Sequence, residues 1–457
     1  MIATALLTEP DCGRSRHTIV MTRRDALRLT VLGAIASPLV TACGGGGSGN
    51  RAPGSPRGLE LVKSDLRRSA GDSEAISEVV AALHGLAGGL YGQLGAEPGN
   101  LVLSPYSVAV ALGMTLPGAG GRTAAEMRDV IGVRNDARFH GGLNALTAYV
   151  EGLAGPQDRA DGSRAELALD GANQVYGQRG VGWEQDFLDL LAREYGAGLR
   201  TVDYENAHEE ARVLINDWVA GRTQDRIPEL IPAGVLDHLT RLVLVNALYL
   251  KAPWESPFEK SLTESMRFHR SDGSSVAVDT MVQPMLATTM TQGDGWRGAR
   301  LPYAGRALAM TLVLPDPGRL GEVEGSLTSG GLADMVSAGR RAVLDLQVPR
   351  WTFRTQAPLK GVLQQLGMQT AFDPHEADFG AMTEEDLDLY VSAVLHEGFI
   401  AVDEEGTEAA AATAVVMSET SAPVTEPFHV DRPFLFAIHD VEHGTPLFLG
   451  RVEDPSA

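Results

Sequence analysis

Residues 404–423 read EEGTEAAAATAVVMSETSAP, a stretch that no single secondary structure accommodates. Glu408 and the alanines Ala409, Ala410, Ala411 and Ala412 are strong helix formers, whereas Thr413, Val415 and Val416 suit a pleated sheet. Pro423 stops either element. An exposed alanine-rich helix accounts for the first half only, because Gly406 and the β-branched tail disfavour it. Whatever the chain folds into must give this segment a use.

At 457 residues, with 44% apolar and 21% charged side chains, the chain has the make-up of a soluble globular protein with a large core. Length alone favours two or three domains. The net charge of −21 comes without a basic stripe, which argues against a nucleic-acid partner and is explained by solubility. Cys12 and Cys43 are the only cysteines, so no disulfide framework supports the fold.

The stretch TRRDALRLTVLGAIASPLVTAC, from Thr22 to Cys43, pairs arginines with an apolar run and ends in small residues. It is read as an export signal. Arg23, Arg24, Leu27 and Arg28 resemble a twin-arginine signal, and Val40, Thr41, Ala42 and Cys43 resemble a lipobox, which makes Cys43 the lipidated N-terminus and the membrane a partner through that anchor. Met21 precedes the signal directly, so residues 1–20 are expected to be an artefact of start-codon choice. Residues 1–42 are then the export signal, 43–72 a lipid-anchored flexible tether rich in Gly, Ser, Pro and Arg, and 73–457 the globular domain. Without residues 1–42 the chain has 33 basic and 56 acidic residues, a charge of −23.

In the domain, Asp72 and Ser73 are expected to cap a helix whose Ile76, Val79, Val80, Leu83 and Leu86 follow helical spacing. LVLSPYSVAVALGMTLPGAG, residues 101–120, predicts a short strand, a turn at Ser104-Pro105 and a helix buried on most sides. Strand-like runs recur at 242–250, 307–314, 342–348, 389–394 and 434–438 without regular helix alternation or a repeat. That pattern predicts an α+β fold with largely antiparallel sheets. Residues 154–164, AGPQDRADGSR, are expected to be an exposed excursion.

Catalytic signatures are missing. The sequence holds no G-x-S-x-G elbow, no H-E-x-x-H helix, no S-x-x-K and no C-x-x-C, and neither a metal nor a cofactor is implied. GDGWRG at 293–298 matches a dinucleotide glycine pattern but reads better as a turn between strands. GAGGRT at 118–123 lacks the lysine of a phosphate loop and reads as a helix-to-helix connection. His396 and Glu397 form a possible acid-base pair, against which stands the ordinary case of a satisfied core histidine.

Four runs taken together resemble the serpin family: NLVLSPYSVAVAL from Asn100, TRLVLVNALYLKAPWESPF from Thr240, LHEGFIAVDEEGTEAAAATA from Leu395, and DRPFLFAIHD with PLFLGRVEDP at the end. The resemblance covers residues 73–455 in order. It implies a serpin fold, one domain of three β-sheets and eight or nine helices with an exposed reactive-centre loop, in place of two or three domains. It also implies that the opening segment is that loop, bait for a protease and later a strand of the main sheet. Glu404, Glu405, Gly406, Thr407, Glu408 and Ala409 to Ala412 match the family's loop hinge. Ser104, Ser107, Asn246 and His396 match the polar cluster beneath the centre of the main sheet, and Trp254 and Glu404 match its upper end, where insertion starts. For each of these residues, plain core packing or capping is the alternative.

Side chains alternate along a strand, so an inserted loop would place Thr407, Ala409, Ala411, Thr413, Val415 and Met417 toward the core. All six are small or apolar. Glu408 falls on the other face, where its charge is expected in solvent. No proline occurs from Gly406 through Ala422, so every amide can join a ladder. Counting from Gly406 by the inhibitory family's spacing puts the reactive bond between Thr420 and Ser421, within one or two residues. Threonine there suits elastase-like or subtilisin-like serine proteases, with cysteine proteases a further class of partner, and the resemblance implies a monomeric suicide-substrate inhibitor rather than an enzyme. The alternatives are a noninhibitory serpin serving as chaperone or ligand carrier, and a surface hydrolase.

Overall fold

The computed structural model describes residues 58–385, 387–408 and 424–457. Nine α-helices lie among them: α1 (Ile76–Leu94), α2 (Pro105–Thr115), α3 (Gly121–Ile131), α4 (Asp136–Glu151), α5 (Gln185–Leu190), α6 (Tyr204–Arg222), α7 (Leu320–Leu327), α8 (Gly331–Val336) and α9 (Lys360–Gln365). The entry to α1 is formed as its sequence predicts. Asp72 accepts a hydrogen bond from the Glu74 amide, and Val79, Val80, Leu83 and Leu86 are buried. In α2 the Ser104 side chain caps the helix by accepting from the Ser107 amide, Pro105 takes the first position, and all eleven helical residues are buried. A helix apolar all round belongs inside, and α2 becomes the inner support of the main sheet.

That sheet runs in the order β1 (Glu60–Val62), β6 (Leu199–Val202), β5 (Gln174–Gln178), β7 (Leu242–Pro253), β15 (Gly406–Thr407), β14 (Val391–Val402), β13 (Trp351–Pro358). Next to β5, β4 (Arg164–Gly171) pairs with the upper part of β7 and carries β3 (Gly155–Asp158) on its outer side. A second network runs β16 (Glu426–His429), β12 (Arg340–Pro349), β9 (Ser275–Gly293), β10 (Trp296–Pro302), β11 (Leu308–Pro315), β17 (Phe434–Asp440), β18 (Pro446–Val452), β2 (Leu101–Leu103), with β8 (Glu264–His269) against β9. The long β9 ties two parts of that network together: its start pairs with β8, its middle with β12 and its end with β10. Its register against β12 shifts next to Met285, whose φ is 64°. Among the described residues only β5–β6, β7–β14 and β12–β16 pair in parallel.

One expectation changes and another gains detail. Order begins earlier than residue 73: β1 lies inside the stretch read as tether and pairs antiparallel with β6, with Leu59 buried beside it. The short apolar run LELV supplies an edge strand that the surrounding Gly and Pro content concealed. Residues 154–164 are largely exposed, as expected, but they are paired: they form β3 and the turn into β4, and Arg159 in that turn is buried. The glycine-rich pieces fall where expected, 293–298 at the β9–β10 turn and 118–123 between helices.

Candidate functional site

The seam between β7 and β14 differs along its length. At its lower end the strands pair in parallel, from Val391 against Leu242 to Glu397 against Ala247. At its upper end β15 is wedged between them, with Thr407 opposite both Ala252 of β7 and Val402 of β14. Between these ends, no ladder pairing among the described residues joins 248–251 of β7 to 398–401 of β14, although each is paired on its other side, to β4 and β13. Backbone groups left without a ladder in the middle of a sheet are a template for one more strand.

Beneath the lower end the sequence-predicted residues converge. The Ser104 amide donates to Nε2 of His396 (3.1 Å), so Nδ1 carries the proton and donates to Oδ1 of Asn246 (2.6 Å). Asn246 Nδ2 donates across the seam to the Leu395 carbonyl (3.1 Å). Ser107 Oγ lies 3.4 Å from the same Asn246 oxygen and donates to Oδ1 of Asn173 (2.8 Å). Burial pushes the His396 pKa down to about 4, so the network is uncharged near neutrality. Asn173 was not foreseen; its only sequence signal is a polar residue set just before the all-buried strand β5.

The upper end is built around Trp254. Its indole stacks on Tyr303, 4.7 Å between centroids and 3° from parallel, and its Nε1 donates to the Asp403 carbonyl (2.9 Å). Its backbone amide donates to the Glu405 carbonyl, and the Phe258 amide donates to the Glu404 carbonyl, both at 2.8 Å. Asp403 closes the turn by accepting from the amides of Glu405 and Gly406. Gly406 is required here, because a Cβ would lie 2.3 Å from the Ala252 carbonyl oxygen. The two buried glutamates are each partnered: Glu404 accepts from Thr263 Oγ1 (2.7 Å) and faces Arg350 (3.4 Å), and Glu405 faces Lys260 (3.1 Å). Thr407 is buried, and its hydroxyl meets that of Tyr303 at 2.7 Å. From the hairpin turn, Arg159 Nε donates to the Trp254 carbonyl (2.8 Å).

In this uncleaved state Glu408 lies beyond β15 with a φ of 55°, its side chain 3% exposed and its Oε1 2.7 Å from Arg226 Nε, whereas the expectation of a solvent-facing charge concerns the inserted strand. For His396 the satisfied core histidine is the reading that holds. His396 and Glu397 form no acid-base pair, since adjacent strand residues face opposite ways. His396 turns to Ser104, and Glu397 turns to Arg354 (3.4 Å), with burial lifting its pKa to about 7. Ala409 to Ala412, the Thr420–Ser421 bond and Cys43 lie outside the described residues. Among the described residues, no group of three or more His, Cys, Asp or Glu is placed to hold a metal ion.

An α+β unit whose main sheet has, among the described residues, a strand place filled only at its top by a segment of its own chain defines a loop-accepting fold. The chain belongs to the serpin family: the family model, serpin (serine protease inhibitor), matches residues 81–455. A serpin-like protein of Thermococcus kodakarensis is 34% identical over 387 residues, covering 82% of this chain and 86% of that one. Human leukocyte elastase inhibitor is 33% identical over 365 residues, 78% of this chain and 93% of that one. Among solved structures, the native state of the thermophilic serpin tengpin superposes with a TM-score of 0.75 at 25% identity, covering 86% of this chain and 97% of that one.

Proposed function

We propose that this serpin is a suicide-substrate inhibitor of elastase-like or subtilisin-like serine proteases. The observation that supports the reading is the seam: Gly406 and Thr407 occupy the top of a strand position below which 248–251 and 398–401 have no ladder pairing to each other among the described residues. The loop that would fill it has small or apolar residues on its core face and no proline from Gly406 to Ala422. The likeness to leukocyte elastase inhibitor supports the protease class.

In this mechanism the protease serine attacks the Thr420 carbonyl carbon, the bond to the Ser421 nitrogen breaks, and the protease histidine gives the departing amine its proton. Residues 408–420 then enter the seam as a strand with the protease attached through the Thr420 ester. Drawing the ester away separates it from the histidine and the oxyanion donors, and hydrolysis stalls. Incubating the chain with pancreatic elastase or subtilisin tests this directly. A complex that survives SDS is expected; clean cleavage that leaves the protease fully active overturns the reading.

The same reading extends to location. An export signal ending at Cys43 and a tether beyond it fit an inhibitor held at the cell envelope, protecting surface proteins. Acyl modification of Cys43 by mass spectrometry is the expected result, and a soluble secreted form without it counts against the anchor.

A further inference from the structure

Arg226 stands on the connection between α6 and β7 and belongs to none of the motifs that pointed to the family. Its guanidinium lies 5.8 Å from the centre of the Phe399 ring on β14, and its Nε lies 2.7 Å from Glu408 Oε1. Arg354 of β13 sits 5.7 Å from the same ring and 3.4 Å from Glu397. One side chain therefore joins three pieces: the α6 connection, the upper part of β14, and the first residue beyond β15.

The pair is lopsided. The Arg226 side chain is 53% exposed and that of Glu408 is 3%, so the arginine lies over a carboxylate sunk into the seam. Tyr249 and Lys251 of β7 also face that carboxylate. The Arg226 contact is short but not aligned as a hydrogen bond, and neither carboxylate oxygen has an aligned donor among the described residues. The Glu408 amide donates to the Ala401 carbonyl (3.0 Å), but its carboxylate is held by charge rather than by hydrogen-bond geometry, and a carboxylate buried this way is costly once its counter-ion is gone. The new strand ends at Thr407, and Glu408 after it has a left-handed φ of 55°, which a continuing strand does not take.

We infer that Arg226 is the counter-ion that keeps the hinge docked: it holds Glu408 in its left-handed turn, limits insertion to Thr407, and couples the α6–β7 connection to the length of loop left exposed. The inference rests on the loop-insertion reading, since docking matters only to a loop that moves. Outward release and inward passage both require this pair to break. Removing Arg226 alone strands the charge and drives the hinge out. Removing both charges lets it stay.

Amide hydrogen exchange on the uncleaved full chain tests this, read at residues 405–408. Arg226→Gln is expected to lose about tenfold or more of the protection there, with the lower seam unchanged as the control for folding. Glu408→Gln and the double variant are expected to stay within about threefold of the parent. Phe399→Leu, which removes the platform but not the charges, should show a smaller loss than Arg226→Gln. Unchanged protection in Arg226→Gln, or an equal loss in the double variant, overturns the inference. No protease enters this measurement, so an absent SDS-stable complex defeats the inhibitor reading without touching the docking result. An intact complex with unchanged exchange defeats the docking alone.

Discussion

The two ends of the β7–β14 seam are held by different physics. Below, Ser104, Asn246 and His396 form an uncharged and fully buried network whose bonds run from 2.6 to 3.1 Å. Above, three buried carboxylates, Glu404, Glu405 and Glu408, face cations that are 44%, 61% and 53% exposed. Directional neutral bonds in a dry interior hold one geometry and lose heavily when a partner is missing. Ion pairs with one foot in water tolerate displacement and respond to surroundings. The seam is thus held rigidly at its lower end and loosely at its upper end, which is the order of release that the proposed loop insertion would use.

Thr407→Arg attacks the upper end hardest. It puts a guanidinium at a buried position where the parent side chain's hydrogen-bond partner among the described residues is the Tyr303 hydroxyl, and burying an unpaired charge is the costliest of these changes. Loop entry should fail at its first step, so the protease completes hydrolysis. The inhibitor molecules consumed per protease trapped, counted by titration, should rise about tenfold or more. An unchanged count sinks the insertion geometry.

At the lower end the corresponding cut is Asn246→Ala. It removes the Asn246 partner of the His396 Nδ1 proton and of the Leu395 carbonyl, and two buried unsatisfied groups cost about 2–6 kcal/mol. A urea midpoint should fall accordingly, and premature entry of the uncleaved loop should quicken. A midpoint within error of the parent shows that the network does not lock the seam.

How much of this was legible in the sequence follows from how local each feature is. The Ser104 cap and the buried α2 are set within a dozen residues, and the family motifs delivered Asn246, His396, Trp254 and Glu404 to their places. Tyr303 meets Thr407 across 104 positions, Arg159 meets Trp254 across 95, and Ser107 meets Asn173 across 66. No periodicity or spacing marks such pairs, because only the closed sheet brings them together. Glu408 was hidden for another reason: alternation is a rule for a continuing strand such as the inserted loop, and nothing in GTEAA announces that in the uncleaved state β15 ends at Thr407 and Glu408 takes a left-handed φ.

Adjacent residues offer a finer comparison by pH. His396, with its pKa held down near 4 by burial, contributes stability present above its ordinary 6.5 and lost as pH falls through about 4. Glu397 has the opposite sign: raised from 4.5 to about 7, it contributes stability fully present below 4.5 and lost as pH rises through about 7. Glu397→Gln should therefore flatten the decline between pH 4.5 and 7 and unfold at higher urea than the parent at pH 8. A lower midpoint at pH 8 would show that the Arg354 contact outweighs the burial of the charge.

Salt provides the gentlest test. Raising sodium chloride from 0.1 to 1 M shortens the screening length from about 10 Å to about 3 Å, which reaches cations half in water but not a neutral network sealed beneath the sheet. The upper contacts are only 2.7 to 3.4 Å long and their carboxylates are buried, so the loss is modest. Amide protection at Gly406 and Thr407 should fall about two- to threefold while protection at Leu395 and His396 holds. An equal change at both ends would mean that charge is not what separates them, and that the hinge is docked by Trp254, Tyr303 and the Asp403 turn alone.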